Sequence, residues 1–332
     1  MTAILPQSYE MVLGRVRQSS RVESSAQFYQ LSFQAMNTHC RVNFVGNDAK
    51  RAQNFCQEVI QWVSWFESHY SRFIPDSLIG RINAAAGLHW VEVDAETDAL
   101  FNFCQEMVFL TRGLFDPSSL PLMRLWNWKA KPEAVPAAAE IAKARELVGW
   151  RKVQRRPGGI FLPREGMALD LGGIGKEYAV DRVLAMGLER GFANLLVDFG
   201  QDVRVHGQPP GRPAWHIGLE DPAKPGECWT GVAVNDHAVA TSGDYVRHYT
   251  VDGRRYGHII DPRDGQPVNN GCKSVSIIAP NCTMAGILST SAFILGAKEG
   301  LELIRICPGG EGAITTETGR VLTQNFYKYA TK

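Results

Sequence analysis

The sequence has no C-x-x-C pair, no run of eighteen apolar residues and almost no net charge, and each absence removes a class of function. Seven cysteines, an odd number, are scattered at positions 40, 56, 104, 228, 272, 282 and 307. That pattern argues against a disulfide framework and against a structural zinc site. The thiols read as reduced, in a cytoplasmic protein. The opening "MTAILPQSYEMVLGRVRQ" lacks a long apolar segment followed by a small-residue cleavage site, so neither export nor membrane insertion is expected. A formal charge of +1 over 332 residues supplies no field to attract nucleic acid or an anionic membrane.

What is present is an ordinary globular composition, 45% hydrophobic and 21% charged, long enough for one large domain or two smaller ones. Residues 1–27 are polar and serine-containing and read as an arm that can be loosely held, ahead of a domain over 28–328. "FYQLSFQAM" and "THCRVNFVG" alternate as a strand pair. Residues 48–68 carry helical periodicity through Ala52, Phe55, Val59, Trp62 and Phe66, with Asp48 placed as cap. Further helices are expected over 97–112, 134–150, 176–190, 283–295 and 297–306, the third preceded by a proline-containing loop over 129–136. Strands are expected over 193–200, 202–207, 214–220, 229–243, 245–253, 255–261 and 273–280, with a short pair over 311–325. Strands and helices cluster rather than alternate, so the fold class is α+β with largely antiparallel sheet.

The stretch "MALDLGGIGKEYAVDRV" (167–183) looks like a phosphate loop but is not a Walker A sequence. The leading glycine and the hydroxyl after the lysine are replaced by Asp170 and Glu177, and the spacing G-x-G-x-x-G is also absent. The general device remains: a strand over 167–171, a glycine turn, and a helix whose free N–H groups face the turn. The plain alternative is a tight turn in which glycine only permits positive φ.

Seven segments then follow in order: "FQAMNT" (33–38), "SRFIPDSLIGRIN" (71–83), "GLFDPSSLPL" (113–122), "DLGGIGKEYAVD" (170–181), "VATSGDYVRHY" (239–249), "HIIDPRDGQPV" (258–268) and "ILSTSAFILG" (287–296). Together they resemble the FAD:protein FMN transferase, or ApbE-like, family over roughly residues 33–300. The resemblance implies largely antiparallel sheets flanked by helices, with two lobes around an FAD cleft as one form of that architecture. It further implies FAD as substrate and Mg²⁺ at its pyrophosphate. FMN would pass to a Thr or Ser hydroxyl of a target flavoprotein, with release of AMP.

Carried over residue by residue, the resemblance assigns cofactor contacts to Met36, Phe73, Leu114, Phe115, Asp116, Gly172, Lys176, Tyr178, Ser242 and Ile260. For Met36 and Phe73 the alternative is a place in the core. For Asp116 it is a turn cap, and for Lys176 a solvated surface charge. Asn37 stands where relatives usually have glycine. Asp244 and Tyr245 would shape the same cleft. The D-P-x-x-G run of Asp261 to Gly265 is also a turn sequence in its own right. A carboxylate, with Asp116 the candidate, or His258 would accept the hydroxyl proton.

The metal ligands implied are the Gly175 carbonyl, Ser289 and Thr290. The family's helix here places an aspartate four residues before the threonine, so that both share one face. This chain has Gly286 at that position, and Glu177 where many relatives have glycine. Loss of the one anionic protein ligand weakens a magnesium site by about 1.5–3 kcal/mol, or one to two orders of magnitude in affinity. Three readings stand: an active transferase, its metal site depleted or rescued by a neighbouring acid such as Glu177; a member that binds FAD without transfer; or a hydrolase producing FMN and AMP.

Overall fold

Side-chain alternation along nine strands creates the centre of the molecule. The computed structural model describes residues 6–130, 133–245 and 247–331. In chain order the strands are β1 (Arg21–Ser25), β2 (Phe28–Ala35), β3 (Thr38–Val45), β4 (Leu195–Phe199), β5 (Asp202–His206), β6 (Ala238–Gly243), β7 (Cys272–Ala279), β8 (Glu311–Thr316) and β9 (Gly319–Leu322). They lie in the sheet in that same order, each antiparallel to its neighbour.

Period two sorts their side chains to two faces. Leu195, Val197 and Phe199 of β4 enter the main core, whereas Leu196 faces a second cluster. Val275, Ile277 and Ala279 of β7 repeat the pattern, with Ile278 on the other side. The second face is covered by a smaller three-stranded sheet of Trp215–Asp221, Lys224–Val234 and Ala330–Thr331. Both outer strands of the large sheet, β1 and β9, are exposed along their length.

The core on the first face is completed by α1 (Tyr9–Ser19), α2 (Ala49–Tyr70), α3 (Leu78–Ala84), α4 (Ala95–Leu110), α7 (Gly175–Glu189) and α8 (Cys282–Ile306), while α5 (Leu120–Leu125) and α6 (Ala138–Glu146) pack together in a separate small cluster. Asp48 caps α2 by accepting the Arg51 N–H at 3.0 Å, as its position predicts. Asp94 does the same for α4 through Thr97 at 2.8 Å. The two helices expected around position 296 are found, running end to end across a break at Gly296. Gly296 takes φ +80° and ψ −177°, and the Asn270 amide donates to the Phe293 and Ile294 carbonyls that the break frees. That side chain supplies the partners the helix itself cannot.

Several expectations differ from what is found: the span 229–243, read as one strand, is two, with Lys224–Val234 in the small sheet and Ala238–Gly243 in the large one. Residues 167–171 form no strand. Leu169 is instead bracketed by the Asn83 amide, which accepts its N–H at 2.6 Å and donates to its carbonyl at 2.9 Å, and Asp170 donates to the Pro117 carbonyl. Side-chain and loop groups thus take the place of a neighbouring strand. The third expected helix is shorter, 138–146. The segment read as an arm contains α1 and β1, with Val12, Leu13 and Val16 buried and α1 packed on α2. Residues 1–5 of that segment, residues 131–132 of the expected loop and Val246 of the expected strand lie outside the described residues.

Candidate functional site

The glycine turn leads into α7, whose first-turn residue Glu177 packs against Gly286 of α8. Of its glycines, Gly172, Gly173 and Gly175 all have ordinary negative φ, so conformational permission is not their use. Gly172 and Gly173 are exposed and leave the backbone bare, with Phe115 3.7 Å from where a Cβ of Gly173 would stand. No side chain caps α7; the Gly175 N–H donates to the Leu171 carbonyl at 2.6 Å, and the N–H groups that follow, with the positive dipole end, face the turn. Gly175 is buried against Phe66, and Tyr178 stacks on the same ring at 5.7 Å.

Lys176 is neither solvated nor free to meet an anion. Its ammonium is ion-paired with Asp202 and lies 3.3 Å from Glu177 Oε1. Burial alone would lower its pKa, but the Asp202 and Glu177 carboxylates outweigh burial and raise it. Burial and the neighbouring Glu177 raise the Asp202 pKa to about 7 against the pull of Lys176, so the ammonium is already balanced by carboxylate and has no charge to spare for a phosphate. Glu177 in turn lies against Gly286 of α8, where an added Cβ would come within 2.6 Å of its Cγ.

Three hydroxyls converge on the same stretch of α8. Ser242 Oγ, near the end of β6, lies 2.8 Å from Ser289 Oγ and 2.9 Å from Thr290 Oγ1. Ser289 also donates to the Gly286 carbonyl at 2.9 Å. Asp181 holds the start of α8, accepting from the Cys282 and Thr283 N–H groups at 2.8 and 2.9 Å while paired with Arg204. Among the described residues no group of three or more His, Cys, Asp or Glu side chains gathers as a metal cluster. The donors present are hydroxyls, a carbonyl and the Glu177 carboxylate. Its Oε2 is buried without a hydrogen-bond partner. Such hard oxygens fit a small divalent cation that takes its remaining ligands from phosphate and water.

Other expected residues surround this centre. Met36 and Asn37 form a two-residue hairpin tip with φ +49° and +58°, the primed turn that matches strand twist, and asparagine tolerates that conformation well. The Met36 N–H donates to Glu67, the residue after Phe66. Phe73 is 71% exposed, which excludes the core reading. Arg72 lies over its ring at 4.2 Å and also contacts Asp170 at 3.2 Å, so Phe73 stands beside the glycine turn.

Leu114 and Phe115 are buried. Asp116 is a turn cap: its oxygens accept from the Ser118 N–H and hydroxyl and from the Trp150 N–H, and burial raises its pKa. A carboxylate so fully engaged is poorly placed to take a proton, which leaves His258 as the better candidate.

His258 sits where Asp244, two residues beyond Ser242, presses against Gly257. Its Nδ1 lies 3.2 Å from the Arg247 carbonyl, an acceptor only, so Nδ1 carries the hydrogen and Nε2 keeps its lone pair. Burial, with the Arg247 charge, lowers its pKa to about 4. An unfolded histidine titrates near about 6.5. Below that value the unfolded chain therefore holds a proton the native state refuses, and stability falls with acidity until the native group also titrates. His258→Gln is expected to flatten the decline of the urea midpoint between about pH 7 and pH 4. An unchanged slope would contradict the assignment.

Ile260 packs with Trp126 and Tyr249 in a separate small cluster. Asp261 is the hub of its own turn, gripped by Arg263 at 2.7–3.0 Å and closed by Gly265 at φ +76°. The sequence offers no local signal for Asp202, and Asp181 appears in it only as the last residue of the 170–181 segment, with no role attached. Each acts on an element distant in the chain.

The model of the ApbE family matches residues 36–314. The FAD:protein FMN transferase of Treponema pallidum is 32% identical over 312 residues, covering 89% of this chain and 83% of that protein. That of Salmonella typhimurium is 30% identical over 286 residues, covering 83% and 81%. The crystal structure of the ApbE protein of Thermotoga maritima superposes with a TM-score of 0.84 at 31% identity, covering 92% of this chain and all of the other. The match begins at the Met36 hairpin tip and takes in both the glycine turn and the hydroxyl-bearing helix, and the chain belongs to the ApbE family.

Proposed function

We propose that this protein is an FAD:protein FMN transferase, moving FMN from FAD to a Thr or Ser hydroxyl on an exposed segment of a target flavoprotein, with release of AMP. The observation that supports this reading is that α7, which starts behind two bare glycines, packs through Glu177 on Gly286 of α8, whose carbonyl accepts from Ser289 of the Ser242–Ser289–Thr290 hydroxyl group. A pyrophosphate fits between them because N–H groups at a helix start bind its oxygens without a countercharge. Relatives that share most of the chain carry the same activity in their names.

The acceptor hydroxyl would attack the FMN-side phosphorus while the bond from that phosphorus to the bridging oxygen breaks, and AMP departs with that oxygen. The hydroxyl proton goes to His258 Nε2, whose lone pair is kept free by the Nδ1 bond to Arg247. The α7 N–H groups stabilise charge as it develops on the phosphoryl oxygens. Met36, Phe73 and Tyr178 are proposed to contact the flavin nucleotide. Mg²⁺, held by the Gly175 carbonyl, Ser289 and Thr290, would supply further charge neutralisation at the pyrophosphate. The seven cysteines are all unpaired, which supports a reducing, cytoplasmic setting.

The test is incubation with FAD, Mg²⁺ and a flavoprotein target, followed by denaturing electrophoresis. A covalently fluorescent target band with stoichiometric AMP is expected. Retained FAD without product would make the chain a binding member only, and free FMN would make it a hydrolase.

A further inference from the structure

Glu177 and Gly286 occupy one space between α7 and α8. A Cβ on Gly286 would stand 2.6 Å from Glu177 Cγ, 3.1 Å from Cδ and 3.2 Å from Oε1. Gly286 has helical backbone angles in the interior of α8, where glycine weakens a helix relative to alanine. Its use is therefore the room it leaves. Glu177 fills that room and is only 7% exposed. One of its oxygens faces Lys176, while Oε2 has no partner. A buried carboxylate oxygen without a donor is costly unless something positive meets it. The groups gathered on this stretch of α8 are the Gly286 carbonyl, which accepts from Ser289, and the hydroxyls joined through Ser242.

We infer that Glu177, reaching from α7 across Gly286, is the carboxylate ligand of the divalent cation in this protein. The carboxylate comes from the start of α7 instead of from a side chain at position 286, and the two positions form a matched pair. Gly286 is small because Glu177 lies over it. This inference rests on the transferase reading for the presence of the cation, but it makes a separate claim about which residue binds it.

The experiment uses the full chain with FAD bound and titrates Mn²⁺ by the loss of the free-ion paramagnetic resonance signal, with Mg²⁺ as competitor. Glu177→Gln keeps the shape and removes the charge, and is expected to weaken metal binding by about ten- to hundredfold, the range seen for partners that tune metal sites. Gly286→Asp alone puts two carboxylates in one space and is expected to lower the melting temperature. The double variant Glu177→Gly with Gly286→Asp should regain metal affinity to within about threefold of the starting protein.

Unchanged metal affinity in Glu177→Gln, with FAD still bound, would overturn the inference and leave the transferase reading intact. A folded double variant that does not regain affinity would overturn it too, as would a starting protein that binds FAD but no metal. Metal affinities that change as expected across the variants, with no flavin transfer by the starting protein, would defeat the functional reading alone.

Discussion

Lys176→Met is expected to lower unfolding free energy by about 3–5 kcal/mol, the usual cost of leaving one side of a buried ion pair without its partner. Asp202 is 6% and Glu177 7% exposed, and both depend on the same ammonium. Removing it leaves two carboxylates facing each other in a poorly solvated place. Burial and Glu177 already hold the Asp202 pKa up at about 7, and loss of the ammonium would raise it further, so the folded variant would bind a proton that the unfolded chain does not. Its stability therefore increases as pH falls from neutrality. Urea unfolding at several pH values measures both effects. Adding Asp202→Asn should restore at least half of the loss, because it removes one uncompensated charge. A variant as stable as the starting protein would mean that the trio is solvated and carries no net burden.

Asp181→Ala is expected to cost about 3 kcal/mol and to weaken FAD binding as well. Two backbone N–H groups at the start of α8, the Thr283 hydroxyl and Arg204 all depend on that carboxylate. Charge-assisted hydrogen bonds of this kind contribute about 1.5–3 kcal/mol each, and truncation leaves donors stranded. Asn281 still caps the helix through Met284 at 2.8 Å, so α8 should persist but shift. The hydroxyls of Ser289 and Thr290 lie two turns further along the same helix. Displacing them loosens the site without touching it, a positioning effect. Chemical denaturation together with a fluorescence titration of FAD separates the two losses. Asp181→Asn retains the shape and one acceptor oxygen and should recover part of both. Lost stability with unaltered FAD affinity would confine Asp181 to a structural role.

The matched carboxylate and glycine explain why a departure at position 286 need not end the chemistry. Read along the chain, Gly286 is a missing ligand and Glu177 an unwelcome charge beside a phosphate site. In three dimensions each accounts for the other. The Lys176 trio points the same way, since the two carboxylates already engage the ammonium that the lysine alone would have offered to an anion.

The sequence by itself determined most strands of the large sheet, through alternation, the start of α2, through its Asp48 cap, and the break at Gly296, but not α1, α3, α5 or β1. It also determined family membership, through seven ordered segments. These signals are local, spanning a few residues, and survive any packing arrangement. Tertiary structure alone decided that residues 167–171 are bracketed by Asn83 and Pro117 rather than paired as a strand. It also decided that Phe73 is exposed, that Asp116 is spent on its own turn, and that Asp181 caps a helix 101 residues away. The choice of partner for a buried charge depends on which elements the sheet order brings together, and no periodicity or spacing along the chain encodes that.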